Sequence, residues 1–221
     1  MRIATWNIER LKHKKSIREI EQECNNANAD ILVLTETDSR IHIDFPYVYY
    51  SPSPSAVKPD YYAKTEHRIA IYTKTLCISV TETYDPYTAL CVEQETEFGV
   101  LTVYGTIMGV FGNRNSSFLP DVKRQMADTQ NLKKLGKKIC ICGDYNLSFC
   151  DNYYFTTKGR AEVQQTFEQC GITIITVELA ECIDHIAVSN ELIERRQISL
   201  SEWNHEKTLS DHKGVVAEIT E

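Results

Sequence analysis

The chain has 221 residues, of which 42% are hydrophobic, enough for one domain with a sizeable core. Its formal net charge of −7 at pH 7 excludes the global basic field that dominates non-specific binding to nucleic acid, but not a local phosphate site. The N-terminus reads as a strand rather than a secretion signal, and no apolar run is long enough to cross a bilayer. We therefore expect one domain over residues 1–221, a cytoplasmic location and no obligate protein partner.

The eight cysteines lie within apolar, strand-like or helix-like segments rather than in a short, loop-rich chain. This placement favours reduced and mostly buried thiols over a disulfide framework. Cys140 and Cys142 share a face of a predicted strand, but the sequence has no second Cys or His pair at zinc spacing.

Two early apolar runs end in polar side chains. Residues 2–7 predict a strand that ends at Asn7, with Glu9 two residues further on. Residues 31–37 are too apolar for a half-exposed strand and end in Glu36. Both runs therefore place oxygen-bearing side chains at a strand exit.

Apolar residues at helical spacing predict helices over 16–28, 119–135 and 160–170. Ser16 and Glu19 predict a capping box at the start of the first helix.

The segment from Asp44 to His67 is rich in proline, serine and tyrosine, which predicts a loop or an irregular sheet edge. Two interpretations of its tyrosines stay open: packing at the rim of the core, or an aromatic binding platform. The tyrosines are Tyr47, Tyr49, Tyr50, Tyr61 and Tyr62.

Several strand-like runs follow, and four in succession with short turns predict an antiparallel meander. These four cover 68–72, 76–82, 89–96 and 100–106. Later strands are predicted at 172–177, 183–188, 198–200 and 213–219.

The run 139–147 is an unbroken apolar strand that ends in Gly143, Asp144 and Asn146. A strand followed by an ordinary Asx turn explains it as well as a catalytic strand tip does. The second interpretation gains weight because other predicted strand tips carry the same kinds of residue, namely Asn7 with Glu9, Glu36, and Asp184 with His185. A fifth such group, Ser210-Asp211-His212, precedes the last strand. Acids on separate strands are how proteins bind Mg²⁺, which keeps several waters and shares coordination with a substrate phosphate.

In order along the chain, these motifs resemble those of the endonuclease/exonuclease/phosphatase superfamily. The matching segments are Thr5-Trp6-Asn7-Ile8-Glu9, Leu34-Thr35-Glu36, Cys142-Gly143-Asp144-Tyr145-Asn146-Leu147, Cys182-Ile183-Asp184-His185-Ile186 and Leu209-Ser210-Asp211-His212-Lys213-Gly214. The resemblance implies an α/β fold of the DNase I type, a four-layered α-β-β-α sandwich. In this fold two mixed sheets pack face to face with helices outside, and one end carries a Mg²⁺- or Mn²⁺-dependent phosphoesterase site.

The resemblance also implies the metal ligands. Glu36 is expected to be the principal ligand, assisted by Glu9, Asn7 and Asp211.

The implied catalytic residues are Asp144, Asn146, His212, Asp184 and Tyr104. Asp144 would position or deprotonate the attacking water, and Asn146 would hold the phosphate. His212 would stabilise the transition state, with Asp184 orienting its imidazole and raising its pKa. Tyr104 falls where one branch of the superfamily has a tyrosine that contacts phosphate.

The chain departs from that branch after Tyr104, because Gly105-Thr106-Ile107-Met108-Gly109 replaces Val-Pro-Asn. The sequence leaves Thr106, Asn113 and Arg114 open as substitutes for the missing asparagine.

Another departure lies at the start of the strand over 68–72, where relatives often have a glycine. Arg68, or His67 beside it, is a candidate phosphate contact, and a solvated surface arginine is the equal alternative. We expect His185 to be structural, and His13 and His42 to lie at the surface.

The expected substrate is a phosphodiester in a nucleic acid or a nucleotide-like molecule. The alternatives are a phosphomonoesterase acting on a small metabolite or an inositol or lipid headgroup, and an inactive binding module. The basic runs Lys12 to Lys15 and Lys133 to Lys138 resemble ordinary solvated helix ends, so they do not select among these.

Overall fold

The computed structural model describes residues 1–12 and 16–221, and His13, Lys14 and Lys15 of the predicted basic run lie outside the described residues. The described chain forms these strands: β1 (Arg2–Asn7), β2 (Ile31–Asp38), β3 (Tyr47–Tyr50), β4 (Glu66–Thr73), β5 (Cys77–Thr81), β6 (Ala89–Thr96), β7 (Gly99–Ile107), β8 (Ile139–Asp144), β9 (Ile172–Ile174), β10 (Asp184–Ser189), β11 (Gln197–Trp203) and β12 (Gly214–Thr220). Its α-helices are α1 (Ile17–Asn26), α2 (Phe118–Lys134) and α3 (Thr157–Gln169).

The strands form two six-stranded sheets, with the orders β11-β12-β1-β2-β4-β3 and β5-β6-β7-β8-β10-β9. Both sheets are mixed, because β1 pairs with β2 and β7 pairs with β8 in parallel, while the other pairs are antiparallel. Each parallel pair is joined by a crossover that contains a helix, α1 in the first sheet and α2 in the second.

Three apolar layers hold the elements together. Ile3 and Val33 of the first sheet pack against Val103 and Cys142 of the second, and all four are fully buried. Ile20 and its neighbours on α1 cover the outer face of the first sheet, and α2 and α3 cover the outer face of the second. The expected four-layered α-β-β-α sandwich is confirmed.

Parallel pairing determines where the site lies. Asn7 at the end of β1 pairs with Thr35 of β2, and Ile107 at the end of β7 pairs with Asp144 of β8. Because β1 packs against β8 across the sandwich, the ends of both parallel pairs meet at one edge of the two sheets.

Some details differ from the sequence predictions. The predicted meander is restricted to β5, β6 and β7, because β4 lies between β2 and β3 in the other sheet. The prediction of a capping box is wrong, because Ser16 has φ −106° and ψ 20° and its side chain makes no cap hydrogen bond. The segment after Asp44 includes the edge strand β3 as well as loop.

The cysteines and the hydropathy pattern agree with expectation. All eight cysteines are free thiols, and five of them are buried. Cys140 and Cys142 both face the core between the sheets. Within the described residues, no helix has the length and apolar character required to span a membrane.

Gly143 is a position where the fold requires glycine. Its φ is +145°, and a Cβ there would lie 2.0 Å from the carbonyl oxygen of Thr106 on the paired strand. We expect Gly143→Ala to lower the free energy of unfolding by about 2 kcal/mol or more. The alanine would have to adopt a strained positive φ, and the backbone at Thr106 would have to move away from its Cβ. Urea denaturation measures this change.

Gly136→Ala is the matched control, since Gly136 also has positive φ (+74°) but has no atom within 4 Å of a built Cβ. The control is expected to cost about 1 kcal/mol. Equal losses in the two variants would show that the contact with Thr106 is unimportant.

Candidate active site

Polar side chains from both sheets meet where the parallel pairs end, and several adopt unusual backbone conformations. Glu9, Glu36 and Asn146 have φ values of 50°, 46° and 51°. Left-handed backbone at a residue other than glycine costs on the order of 1–3 kcal/mol and persists where the surrounding structure enforces it. Left-handed backbone also occurs away from this group, at Asn28 and Arg195 among others, so the candidate site is defined by the polar side chains that meet here.

Asp144 is the centre of the group and is only 3% exposed. Its Oδ1 accepts a hydrogen bond of 2.8 Å from the Asn146 backbone N–H, and its Oδ2 accepts one of 3.1 Å from Asn7 Nδ2. Burial raises the pKa of Asp144 to about 7, with Asp184 adding to the rise and His212 opposing it. A carboxylate with this pKa can take up a proton near neutral pH.

His212 is paired with Asp184, as the resemblance implies. Its Nδ1 donates to Asp184 Oδ2 over 2.5 Å. Burial by itself would lower the pKa of His212, but the carboxylates of Asp184, Asp144 and Asp211 raise it to about 10. The imidazole is therefore a cation at neutral pH, with Nε2 available to a substrate oxygen or to the Asp211 carboxylate 3.5 Å away.

The loop that carries His212 is attached to the end of β1. The carbonyl of His212 accepts from Trp6 Nε1 at 3.0 Å and from Asn204 Nδ2 at 2.6 Å. Ser210 Oγ donates to the carbonyl of Asn7 and accepts from the His212 N–H. These contacts hold residues from the two ends of the sequence in one site.

Glu36 is the carboxylate most suited to a cation. Burial raises its pKa, although the charges of His212 and Arg68 oppose that rise. Within the described part of the chain, its carboxylate forms no hydrogen bond or ion pair, so its oxygens are available to a metal and its waters.

The other expected ligands are engaged with protein groups. Asn7 Oδ1 accepts from the Glu9 N–H, Glu9 Oε1 pairs with Lys12 at 2.7 Å and Glu9 Oε2 accepts from the Asp211 N–H. No group of three or more His, Cys, Asp or Glu suited to holding a metal occurs among residues 1–12 and 16–221. The arrangement fits Mg²⁺ all the same, because Mg²⁺ is usually held by one or two carboxylates, waters and substrate phosphate.

Asn146 lies beside Asp144, but its amide is already in use. Nδ2 donates to the carbonyl of Met108 at 3.1 Å and to Asp144 Oδ2 at 3.2 Å. Asn113, one of the residues left open by the sequence, donates to the carbonyl of Asn146 at 2.8 Å. Asn113 is buried and supports Asn146 through this bond, and its Oδ1 has no hydrogen-bond partner among the residues that the structure describes.

Two expected phosphate contacts are not brought to this group. Tyr104 is 1% exposed in the core beneath α2, and its hydroxyl donates to Asp128 Oδ2 at 2.9 Å. Thr106 is fully buried, and its hydroxyl donates to Gln125 of α2. Both side chains leave β7 on its helix-facing side, whereas Asp144 bonds to Asn7 across the sandwich, so we withdraw the phosphate roles of Tyr104 and Thr106.

Arg68, in contrast, lies in the site. It lines a cleft of about 700 Å³ together with Glu36, and its Nη2 donates to Tyr62 Oη at 2.8 Å. His67 points elsewhere, with Nδ1 bonded to the carbonyl of Ser51 at 2.7 Å. Sequence reasoning did not identify Lys58 and Phe111, which line the same cleft from two loops.

His185 is fully buried, and burial lowers its pKa to about 4. Its Nε2 donates to the carbonyl of Leu147, and its Nδ1 accepts from the hydroxyl of Thr176, each over 2.9 Å. Both nitrogens of this neutral imidazole are therefore used within the core. His42 is exposed at the surface.

The fold agrees with comparisons to known proteins. The model of the endonuclease/exonuclease/phosphatase family matches residues 4–212, and the chain belongs to this family. Comparison with curated sequences gives no significant match.

Solved structures share the fold at low sequence identity. An AP endonuclease from Archaeoglobus fulgidus superposes with a TM-score of 0.71 at 15% identity, over 99% of each chain. The 3'-5' exonuclease NExo from Neisseria meningitidis gives 0.71 at 18% identity over 100% of each chain. A 3' phosphatase NExo from Neisseria, bound to a product DNA hairpin, gives 0.71 at 17% identity over 100% of each chain.

Proposed function

We propose that this protein is a Mg²⁺- or Mn²⁺-dependent phosphodiesterase that hydrolyses a nucleic acid or a nucleotide-like substrate through an activated water. Family membership supports a hydrolase of phosphoester bonds. The observation that carries the proposal is the pairing, in one site, of the Asp144 carboxylate with a pKa of about 7 and the His212 imidazole with a pKa of about 10.

The two groups suit the two halves of the reaction. Ionised Asp144 accepts a proton from the attacking water, since its pKa lies near neutral pH. Protonated His212 stabilises the negative charge that develops on the phosphoryl oxygens, and Asp184 holds the imidazole in place through Nδ1. Arg68 attracts the phosphate into the cleft beside Glu36.

In this proposal Glu36 would be the main ligand of the divalent cation, and Asp211, Glu9 and Asn7 would assist it. When bound, the cation supplies Lewis-acid stabilisation of the phosphoryl oxygens. Mg²⁺ and Mn²⁺ suit carboxylate and water oxygens, which matches a site without thiols.

Glu36→Gln should weaken binding of the divalent cation without unfolding the protein. Removing the carboxylate charge is expected to raise the half-saturating Mg²⁺ concentration by about tenfold or more, since the carboxylate supplies the main charge for a hard cation. Calorimetric titration of Mn²⁺ and hydrolysis rates over a Mg²⁺ series measure the effect. Glu168→Gln on the exposed face of α3 is the matched control and should leave both unchanged. Unaltered metal affinity in Glu36→Gln would contradict the assignment.

A phosphomonoesterase is the second candidate, because one of the similar structures is described as a 3' phosphatase. A binding module without activity is disfavoured, because the candidate base Asp144, the cation of His212 and the Glu36 carboxylate are all present in one site.

A hydrolysis panel with Mg²⁺ or Mn²⁺ tests these alternatives directly. The substrates are a bis-aryl phosphate, an aryl monophosphate, plasmid DNA and a duplex with an abasic site. Turnover of diesters without turnover of the monoester supports the phosphodiesterase, and the reverse result supports the phosphomonoesterase. No turnover of any substrate despite measured metal binding would favour the binding module.

A further inference from the structure

The cleft beside Glu36 has an aromatic and cationic lining that the proposed hydrolysis does not require. Its walls come from the loop before β4, with Lys58, Tyr61 and Tyr62, and from the loop after β7, with Phe111. A second cleft, of about 520 Å³, continues from the first. The residues that line both are Val57, Lys58, Tyr62, Arg68, Val110 and Phe111.

Two of the rings that these loops contribute to the cleft, Tyr61 and Phe111, are largely exposed. Tyr61 is 65% exposed and Phe111 is 63% exposed. Exposed aromatic side chains that line one cleft indicate a binding surface rather than a packing surface. Of the tyrosines in the tyrosine-rich segment, Tyr61 and Tyr62 line this cleft, whereas Tyr49 and Tyr50 bond or pack within the fold.

Phe111 is held out by an anchored turn. Gly112 N–H donates to the carbonyl of Gly109 at 2.7 Å, and both glycines have positive φ, +70° at Gly109 and +78° at Gly112. Gly109 N–H donates to Asp121 Oδ2 at 2.6 Å, which attaches the turn to α2. Turn tips usually carry small polar residues, so a phenylalanine at this tip points to a ligand with a flat apolar face.

Two cations beside the rings, those of Lys58 and Arg68, are available to a polyanion, whereas two others in the cleft are paired. Arg10 pairs with Glu66, and Lys12 pairs with Glu9. Lys58 and Arg68 form no ion pair within residues 1–12 and 16–221. Lys58 Nζ lies 5.6 Å from the centre of the Phe111 ring, and the Arg68 guanidinium lies 5.2 Å from that of Tyr62.

We propose that this cleft binds unpaired nucleotides of a single-stranded nucleic acid, with bases stacked on Phe111 and Tyr61 and phosphates at Lys58 and Arg68. The inference rests on the proposed function and names its substrate class. Bases inside a duplex are covered by their neighbours, so only an unpaired base offers its face to these rings. The second cleft continues the path beyond the nucleotide that lies beside Glu36.

Binding of labelled strands tests the inference with the full chain carrying Asp144→Asn, so that the ligand is not consumed. Fluorescence anisotropy compares an oligothymidine of roughly 12 nucleotides with an abasic strand of equal length and with a blunt duplex. We expect the oligothymidine to bind about tenfold more tightly than either. Phe111→Ala and Tyr61→Ala should each raise its Kd about tenfold, and should leave binding of the abasic strand unchanged.

Three sets of variants make the result specific. Phe111→Tyr and Tyr61→Phe keep a ring and should keep the affinity. Leu76→Ala removes an equally exposed side chain (64%) at the far end of the sheets and should have no effect. Lys58→Ala and Arg68→Ala should weaken binding of the oligothymidine and of the abasic strand alike. Each should also reduce the slope of log Kd against log salt concentration by about one.

Equal affinity for the oligothymidine and the abasic strand, or tighter binding of the duplex, would overturn the inference. Hydrolysis by the unmodified protein separates the two proposals. Turnover of the abasic strand together with base-independent binding would leave the phosphodiesterase in place and remove the stacking site. Base-dependent binding without turnover of any strand would support the stacking site alone.

Discussion

Asp144→Asn is expected to lower kcat for phosphodiester hydrolysis by about a hundredfold or more, with little change in KM. The amide keeps the shape of the side chain but cannot take a proton from water, and loss of a general base typically costs on this order. In the unmodified protein, the rate should rise with pH through about 7, because Asp144 must be ionised to act. Steady-state kinetics over a pH series measures both effects.

Asp128→Asn is the matched control for this experiment. Asp128 is also a partly buried carboxylate with a raised pKa. It lies on α2 and accepts a hydrogen bond from the Tyr104 hydroxyl beneath the helix, so it does not face the site. Its amide variant should retain kcat within about twofold, since it removes no group from the reaction. A loss in Asp144→Asn no larger than in Asp128→Asn would remove Asp144 from the catalytic role.

His212→Ala is expected to produce the other large loss, about a hundredfold or more in kcat. The variant removes the cation that stabilises charge on the phosphoryl oxygens. His42→Ala, at the exposed surface, is the control and should have no effect.

Asp184→Asn refines the same prediction, because it leaves the imidazole but removes its partner. The Asp184 carboxylate raises the pKa of His212, so the unmodified enzyme should stay active until the pH approaches about 10. In the variant, the pKa of His212 should fall, and the rate should decline at lower pH than in the unmodified enzyme. An NMR titration of His212 checks the pKa directly, and identical titrations in both proteins would exclude the proposed role of Asp184.

The strand tips could be predicted from the sequence because two physical patterns coincide there. Continuous apolar runs identify buried strands, and the oxygen-bearing residues after them have no place in a core. Asp144, Glu36 and the Asp184–His212 pair follow from this pattern together with the family resemblance. Their meeting point depends on parallel pairing of β1 with β2 and of β7 with β8, which the sequence does not state.

The main error concerned the side of the sheet on which a strand residue places its side chain. The resemblance located Tyr104 along the chain, and Thr106 was an open substitute for the missing asparagine, but alternation on β7 turns both side chains toward α2. Val103, directly before Tyr104, points to the other sheet. The cleft was not predictable either. Lys58 and Phe111 lie in loops more than fifty residues apart, and no periodic pattern connects loops that meet only in the folded protein.

The strand order of the first sheet has a consequence for how the chain folds. β12 lies between β1 and β11, so one edge of β1 stays unpaired until β12 has been synthesised. The loop of His212 immediately precedes β12 and is attached to β1 through Trp6 and Asn7. The site therefore cannot be complete until β12 and the loop before it have joined the end of β1, so its assembly depends on contacts between residues about two hundred positions apart.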